Sequence, residues 1–294
     1  MRVVKRSGEV EDFDPAKAIN AILRIGASQE EAQAILESVK PHLYDGMTTE
    51  ELYRRIRSAL PSPKAQQYSL KKAIMLLGPE GHAFESLMGR VFEQMGYQVL
   101  VRQVLNGKCV SHEVDVVIVK DGKKATVECK FHNALGTKSS IQEALYTWGR
   151  FMDLKDGNGV DVPWLVTNTK FSSDVVRYGN CVGMHLIGWK YPEDGGLEKL
   201  IDEANIYPIT VLDIRRSDQR TLLYHDFVIC RDILDRRSEL LALFPREVGE
   251  RIIKKAEPPS IEMPRGKTQR ARTPAEPSAP TPAEPSAFIT TTDQ

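Results

Sequence analysis

Asp115, Glu128 and Lys130 are the residues whose types and spacing could support chemistry. They lie in the stretch HEVDVVIVKDGKKATVECK, residues 112–130, which alternates apolar and polar residues on both sides of Asp121-Gly122. That pattern predicts a β-hairpin with a two-residue turn, in which Asp115 lies directly opposite Glu128. Lys130 follows on the same face. The opposite face should carry the apolar residues of the first strand, Val114, Val116 and Ile118.

The facing carboxylates need an explanation, because directly opposed strand residues have Cβ atoms roughly 5 Å apart. Two bare carboxylates at that distance repel by about 3 kcal/mol at an effective dielectric of 20. One explanation is a solvated sheet face on which Lys124, Lys130 and Glu113 offset the repulsion, with Lys130 opposite Glu113. The other is a divalent-metal site with a catalytic lysine. Mg²⁺ takes one or two carboxylates and leaves room for water and a substrate phosphate.

The composition excludes several classes of protein. With 40 basic and 40 acidic residues among 294, the net charge is zero, so any nucleic-acid-binding surface must be local. The four cysteines include no CxxC pair, which argues against structural zinc and fits a reduced, cytosolic setting. The first residues lack the apolar core of a signal peptide, and no run of about 18 apolar residues occurs. We therefore expect a cytoplasmic protein with no membrane partner.

Residues 1–77 predict an α+β module, a β-hairpin on a small helical bundle. Residues 3–13 should form the hairpin around Ser7-Gly8. An N-cap followed by proline and two capping boxes predict the starts of three helices, at Asp14-Pro15, at Ser28 with Glu31, and at Thr48 with Glu51. A fourth helix should begin at Ser62-Pro63 and end at Gly78.

The segment VVKRSGEVEDFDPAKAI, residues 3–19, resembles the opening of the ATP-cone. This is the nucleotide-sensing domain at the N-terminus of ribonucleotide reductases and of a repressor of their genes. The likeness runs through the threonine-led third helix to Tyr68. It implies a site for ATP or dATP, in which basic side chains meet phosphates; the implied residues are Lys5, Arg6, Glu11, Lys17 and Thr49. The alternative is that Lys5-Arg6 is a solvated hairpin edge on a dimerisation module.

Residues 80–205 predict a helix, three strands and then alternating helices and strands. The first helix should begin at Gly81, and another should follow Ser139 or Ser140 and run to about Leu154. Strands are expected at residues 97–105, 162–167 and 184–189, in addition to the hairpin. This order predicts an α/β domain with a mixed sheet and helices on both faces.

This element order, with its carboxylates and lysine, resembles the PD-(D/E)xK nuclease superfamily and its restriction-endonuclease-like fold. The closest branch is the Mrr-type restriction endonucleases. The matching segments follow one another in order: Gly81-His82-Ala83-Phe84-Glu85, Gly96-Tyr97, Val114-Asp115, Val127-Glu128-Cys129-Lys130, Thr167-Asn168 and Phe171-Ser172. Val114 stands where a proline usually precedes the aspartate.

The resemblance implies a metal-dependent mechanism. Asp115 and Glu128 would hold Mg²⁺ or Mn²⁺ with the backbone carbonyl of Cys129. Lys130 would position or deprotonate the attacking water and stabilise charge on the phosphoryl oxygens. Glu85 would reach in from the first helix as an outer ligand or general base. Gln142 would orient the water or a phosphate, unless it is a surface glutamine of its helix.

Residues 206–255 predict short helices with a basic bias. We expect helices capped by Ser217 or Asp218, and further ones over 226–237 and 239–244. The region loosely resembles a helix-hairpin-helix, which grips the DNA backbone, but His225-Asp226 occupies the turn where a glycine is expected. A helical cap on the preceding domain is the alternative. From Ala256 the chain is rich in Pro, Ala, Glu, Ser and Thr and repeats TPAEPSA, which predicts a disordered tail over 256–294.

Together the residue patterns and the two resemblances imply a cytoplasmic, metal-dependent endonuclease. The double-stranded DNA substrate and a role in restriction or repair follow from the resemblance alone. ATP or dATP would regulate the enzyme, by changing a homo-oligomeric state. The alternative is a nucleotide-sensing DNA-binding regulator whose nuclease fold is inactive. Nucleotide as an energetic substrate is disfavoured, because no GxxxxGK[ST] loop is present.

Overall fold

The structure, a computed structural model, describes residues 1–5, 7–78, 81–134 and 136–257. Arg6 and most of the expected disordered tail, residues 258–294, lie outside the described residues. Ala256, where that tail was expected to begin, is the last residue of a helix. The four cysteines are free thiols. Among the described helices, none combines the length and apolar character needed to cross a membrane.

The N-terminal module is a small sheet against four helices. Its strands are β1 (Arg2–Val4), β2 (Val10–Asp12) and β3 (Met47–Thr48). Its helices are α1 (Pro15–Leu23), α2 (Gln29–Val39), α3 (Thr49–Ala59) and α4 (Ser62–Met75). Both predicted capping boxes are present, and Asp14 caps α1. The predicted hairpin gains a third strand, because the two-residue β3 pairs in parallel with β1.

Helix α4 belongs to two hydrophobic cores. Its first half contributes Ala65 and Tyr68 to the core of the N-terminal module. Its second half and the residues after it enter the main core of the chain through four buried residues, Leu70, Ala73, Ile74 and Leu77. The helix therefore forms part of the wall of the domain that follows it.

The central domain has the expected order of major elements. Its helices are α5 (His82–Gln94), α6 (Ile141–Asn158), α7 (Ser173–Val182) and α8 (Leu197–Glu203). Its main strands are β4 (Gln98–Asn106), β5 (Ser111–Lys120), β6 (Lys123–Lys130), β8 (Val162–Thr167) and β10 (His185–Ile187). They form one sheet in the order β10-β8-β6-β5-β4, with β4, β5 and β6 antiparallel and β6, β8 and β10 parallel. Two short segments, β7 (Lys138–Ser139) and β9 (Lys170–Phe171), pair separately. The predicted mixed sheet is confirmed.

Helices cover both faces of this sheet. Val116 and Ile118 pack in the main core with residues of α5, whereas Val117 packs on Phe151 and Leu154 of α6. The predicted helices on both faces are present, and the alternative of a solvated sheet face does not hold. Val114 is also misplaced in the prediction, because it joins Val117 against α6 instead of sharing a face with Val116. Alternation along β5 breaks between these valines.

The C-terminal region packs as four helices on the main core. They are α9 (Arg216–Tyr224), α10 (Cys230–Asp235), α11 (Arg237–Leu243) and α12 (Arg246–Ala256). Helix α9 begins at Arg216, so Ser217 and Asp218 lie in its first turn and do not cap it. Helix α10 begins four residues later than predicted, because the residues before it are not helical: Asp226 has a φ of 57°, and Ile229 is extended and forms a β-bridge with Pro208. Buried residues of these helices, Leu222, Ile233, Leu240 and Ile252, complete the main core.

Candidate active site

The hairpin turn has the geometry that the sequence predicts. Asp121 and Gly122 have φ values of 50° and 76°, as a two-residue turn between twisted strands requires. The ladder runs in the predicted register from Lys120↔Lys123 to Val116↔Val127. It ends one residue short of the carboxylates. Beyond that point Lys130 pairs with Thr167 of β8, not with Glu113 as predicted.

Asp115 lies where the hairpin ladder opens. Its Oδ2 accepts a hydrogen bond from the backbone N–H of Cys129 at 2.7 Å. On the other edge of β5, the pairing with β4 is interrupted at Arg102 and Asp115. The pairs before and after this point have the same register, so neither strand has an inserted residue. Arg102 has a φ of 52° there, a conformation that non-glycine residues adopt at a cost of about 1–3 kcal/mol and often at functional sites. The Asp115 side chain thus lies in the gap between β5 and β6, where the hairpin ladder has ended.

Glu85 reaches the same gap from α5, which the buried Phe84 and Leu87 fix against the sheet. Burial raises the pKa of Glu85, and the nearby negative charge of Asp115 raises it further. Arg102 Nη1 lies 3.7 Å from Glu85 Oε2. The first helix therefore brings its predicted glutamate beside the predicted aspartate.

Arg150 of α6 is a residue of this site that sequence reasoning missed. Its Nη1 lies 2.6 Å from Glu128 Oε2, and both side chains are only 11% exposed. Its Nη2 donates to Tyr146 Oη at 2.7 Å, and the guanidinium stacks 4.7 Å from the centre of that ring. The predicted repulsion between Asp115 and Glu128 could have pointed to such a residue, because two buried carboxylates require a nearby positive charge.

Contacts at the far end of α6 hold Arg150 in place. Asp153 accepts hydrogen bonds from the backbone N–H groups of Cys109 and Val110, at 2.7 and 3.2 Å. It also contacts His112 Nε2 at 2.8 Å. Gly157 packs so closely on the turn between β4 and β5 that a Cβ would lie 2.9 Å from the carbonyl carbon of Gly107. The helix is thereby fixed against the strands that carry Asp115.

The two carboxylates of the hairpin remain short of positive charge. Burial raises the pKa of Asp115. Burial also raises the pKa of Glu128, and the charge of Asp115 adds to that effect. Arg150 and Lys130 oppose both shifts without cancelling them. The site therefore favours a further cation or a proton.

Asn168 fixes the chain just after Lys130. Its Oδ1 accepts from His132 N and its Nδ2 donates to His132 O, each at 2.8 Å, and the side chain is completely buried. Burial lowers the pKa of His132, whose Nε2 lies 3.0 Å from Ser139 Oγ. These two hydrogen bonds of Asn168 fix the chain that follows β6. Lys130, at the end of that strand, lies close enough to Asp115 and Glu128 to lower the pKa of both.

Gln142 is exposed in the first turn of α6. It precedes Arg150 by eight residues, which is about 12 Å along a helix axis. Its neighbour Glu143 lies within electrostatic reach of Lys130. No contact supports the predicted role of Gln142, which stays a prediction. The other four predicted residues, Glu85, Asp115, Glu128 and Lys130, do lie together.

The donor set fits a hard divalent cation that keeps several waters. Asp115 and Glu128 offer carboxylate oxygens, the ligands that Mg²⁺ and Mn²⁺ prefer. Among the described residues, no three His, Cys, Asp or Glu side chains converge into a complete metal site. A metal would therefore need water, substrate oxygen or backbone to complete its coordination. The Cys129 carbonyl stays a predicted ligand.

A second group of predicted residues meets on the N-terminal sheet. Lys5 Nζ lies 3.0 Å from Glu11 Oε2 and 3.1 Å from Glu9 Oε2, and Lys17 Nζ lies 3.3 Å from the same Glu11 oxygen. The hydrogen bond from Lys5 lowers the pKa of Glu11. Thr49 follows Thr48, which pairs with Val4, and so lies beside the start of this cluster.

Two family models match consecutive parts of the chain. An ATP cone domain matches residues 1–77, and a restriction endonuclease domain of the Mrr catalytic type matches residues 76–188. Helix α4 lies in the first match, and Glu85, Asp115, Glu128 and Lys130 all lie in the second.

The chain is also similar to whole proteins. An uncharacterised protein of Archaeoglobus fulgidus is 40% identical over 162 residues, which cover 55% of this chain and 90% of that protein. A protein of unknown function with a known crystal structure is 34% identical, with a TM-score of 0.55 over 60% of this chain and 95% of that one. The DNA modification-dependent restriction endonuclease AspBHI is 12% identical over 50% of this chain and 38% of its own, and a TM-score of 0.33 is too low to show a shared fold. The chain belongs to the same family as the Archaeoglobus fulgidus protein, and in this chain an ATP cone domain is followed by a restriction endonuclease domain of the Mrr catalytic type.

Proposed function

We propose that the protein is a cytoplasmic, metal-dependent endonuclease that hydrolyses phosphodiester bonds of double-stranded DNA and responds to ATP or dATP. The observation that carries the proposal is the meeting of Asp115, Glu128, Lys130 and Glu85 where the hairpin ladder opens. A role in restriction or repair follows from the family.

The chemistry divides among these side chains. Asp115 and Glu128 would hold Mg²⁺ or Mn²⁺, which when bound polarises a phosphoryl oxygen and lowers the pKa of a water. Lys130 orients the attacking water and stabilises negative charge that develops on the phosphate. Burial raises the pKa of Glu85, which makes its carboxylate a better proton acceptor and suits it to the role of general base. Arg150 holds one oxygen of Glu128 and so orients the other.

Nucleotide would bind the ATP cone at Lys5, Lys17, Glu11 and Thr49, and Arg6 completes the predicted set. Lys5 pairs with two carboxylates, Glu9 and Glu11, and its ammonium group has a third N–H donor for a phosphate. A triphosphate that competes with Glu11 for this lysine would loosen the contact between the end of β1 and β2. The expected result is a change in the homo-oligomeric state.

Helix α4 offers a route from the cone to the active site. Lys71 Nζ donates to the backbone carbonyl of Asn168 and lies 4.1 Å from the centre of the Trp189 ring. Met75 Sδ accepts from Asn168 Nδ2 at 3.4 Å. Since Asn168 brackets His132, two residues beyond Lys130, a displacement of α4 would reach the catalytic lysine through one buried side chain.

A plasmid-nicking assay tests the proposal. Wild-type protein should nick supercoiled DNA with Mg²⁺ or Mn²⁺, and ATP or dATP should change the rate. Glu128→Gln and Lys130→Met should each lower the rate at least about a hundredfold, as loss of an electrostatic or acid–base group does. Matched controls are Glu93→Gln, in an exposed pair with Arg90, and Lys124→Met, whose Nζ contacts Asn158 on α6.

A second candidate is a nucleotide-sensing DNA-binding regulator with an inactive nuclease fold. The observation in its favour is that Glu128 is already ion-paired with Arg150 and that Arg102 lies beside Glu85. Binding of DNA without nicking at any metal concentration would favour this candidate.

A further inference from the structure

A cleft of about 790 Å³ lies between the start of α5 and one side of α9. Its polar lining comes from His82, Ser86 and Arg102 on one side and from Arg216, Gln219, Arg220, Tyr224 and Asp226 on the other. The restriction endonuclease match ends at residue 188, before α9 begins. The family match therefore stops short of this surface, which belongs to the region that loosely resembles a helix-hairpin-helix.

The cleft borders the candidate active site. Arg102 Nη1 donates to Ser86 Oγ at 3.1 Å and lies 3.7 Å from Glu85 Oε2. A Cβ on Gly81, another lining residue, would lie 3.8 Å from Glu85 Oε1. A chain lying in the cleft could therefore continue past Glu85 toward Asp115.

One side of α9 presents a row of exposed side chains to this cleft. Arg216, Arg220 and Tyr224 recur every four residues, so they lie on one side of the helix. The row is about 12 Å long, which matches the rise of three to four base pairs at 3.4 Å each. Tyr224 is 87% exposed, an unusual state for a ring of its size.

The two arginines of this row carry charge that the protein does not balance. In the described part of the chain, neither Arg216 nor Arg220 has an acidic side chain within ion-pair distance. Two other arginines of the region are paired, Arg237 with Glu257 at 2.9 Å and Arg246 with Glu250 at 2.8 Å, whereas Arg215, Arg231 and Arg251 have no ion pair among the described residues and do not line the cleft. Three arginines of the lining, Arg102, Arg216 and Arg220, outnumber its one carboxylate, Asp226, so the cleft is a local positive surface on a chain with no net charge.

We propose that the cleft binds the phosphate backbone of duplex DNA beside the bond to be cut. Arg216 and Arg220 contact phosphates, which guanidinium groups bind in a two-pronged geometry. Arg102 extends the positive surface toward Glu85, and the Tyr224 ring packs on a sugar or an end base. The choice of DNA as the bound polyanion rests on the proposed nuclease function. The positive charge of the cleft rests on its arginines and on their lack of acidic partners.

Salt dependence of DNA binding tests the assignment in the full-length protein. Fluorescence anisotropy of a short labelled duplex in EDTA reports binding without cleavage. Each phosphate contact contributes about −0.9 to the slope of log affinity against log salt. Arg216→Gln combined with Arg220→Gln should therefore make the slope shallower by about 1.8. Between about 50 and 200 mM salt, the double variant should lose about tenfold less affinity than wild type does.

The control is Arg237→Gln combined with Arg246→Gln, which removes the same charge from paired arginines. Its slope should equal that of wild type. Equal slopes for the two double variants, or no binding of the duplex by wild type, would overturn the proposal. Because nothing is cut in EDTA, a shallower slope together with no plasmid nicking would refute the nuclease and leave the cleft assignment standing.

Discussion

Arg150 and Glu128 form a nearly buried ion pair at 2.6 Å, between the helix that covers the sheet and the strand that carries the predicted metal ligand. The pair is both structural and part of the candidate active site. Its arginine opposes the rise in pKa that burial causes at Glu128 and Asp115, yet both of these carboxyl groups, and Glu85, keep raised pKa values.

Arg150→Met should destabilise the protein at neutral pH by about 3 kcal/mol, because it strands a buried charge. The loss should be smaller in Mg²⁺ than in EDTA, since a cation at Glu128 replaces the missing charge. Removing Arg150 raises the folded-state pKa of Glu128 further. The penalty is therefore absent below the unfolded pKa of about 4.3 and complete above the raised folded value.

Thermal unfolding of wild type and Arg150→Met across pH, with and without Mg²⁺, measures these differences. Arg177→Met is the control, since its ion pair with Asp174 is exposed and should be worth at most about 1 kcal/mol. Equal losses for the two variants at pH 7 would contradict the role given to Arg150.

Metal affinity should fall as the solution becomes more acidic. Asp115 and Glu128 have raised pKa values because they are buried, and both must be deprotonated to bind a cation. Below the raised values, each carboxylate that must lose a proton weakens binding by up to about tenfold per pH unit. Calorimetric titration with Mn²⁺ between neutral and acidic pH measures this dependence. Glu128→Gln should bind more weakly and with a shallower pH slope, and a pH-independent affinity of wild type would exclude these ligands.

Lys71→Met should uncouple the nuclease from the nucleotide. The substitution removes the donor to the Asn168 carbonyl but leaves the active-site side chains intact. Basal nicking should persist, while the change in rate caused by dATP should shrink at least about fivefold, the low end of common allosteric couplings. Lys72→Met is the matched control, because Lys72 on the same helix pairs with Glu50 within the cone. A normal nucleotide response in Lys71→Met would exclude this route.

Nucleotide binding should depend on the lysines around Glu11. Lys5→Met and Lys17→Met should each weaken binding of ATP or dATP by about tenfold, the loss expected for one charge-assisted contact to a phosphate. Lys40→Met removes a cone lysine that pairs with Glu37 and should bind as wild type does. Calorimetry with full-length protein gives the three affinities, and unchanged binding by both test variants would move the site elsewhere.

Much of the fold could be predicted because local signals and tertiary structure agree. The Asp121-Gly122 turn, two capping boxes and the Asp14 N-cap each specify a conformation through their own side chains. The strand β3 could not be predicted, since two residues carry no period and its pairing with β1 is a long-range event. The start of α10 was misplaced because Asp226 adopts the left-handed conformation usually left to glycine and Ile229 is extended.

The candidate site shows the same division. Asp115, Glu128 and Lys130 follow from the hairpin register, and Glu85 follows from family resemblance. Arg150 could not be found in this way, because its contact with Glu128 depends on how α6 lies across the sheet. The break in alternation at Val114 was equally hidden, since it arises where both ladders open around Asp115.

Helix α4 packs in the cores of both the cone and the nuclease domain, which limits how the two domains can be separated or exchanged. Leu70, Ile74 and Leu77 are buried in the main core, and exposing all three would cost about 6 kcal/mol. A nuclease domain separated at the family boundary would lose that wall and present an apolar surface to water. The complete cone, including α4, therefore cannot be replaced by another cone without destabilising the nuclease domain. A graft of another cone onto this nuclease must retain the host's α4, and the natural pair should melt in a single cooperative step.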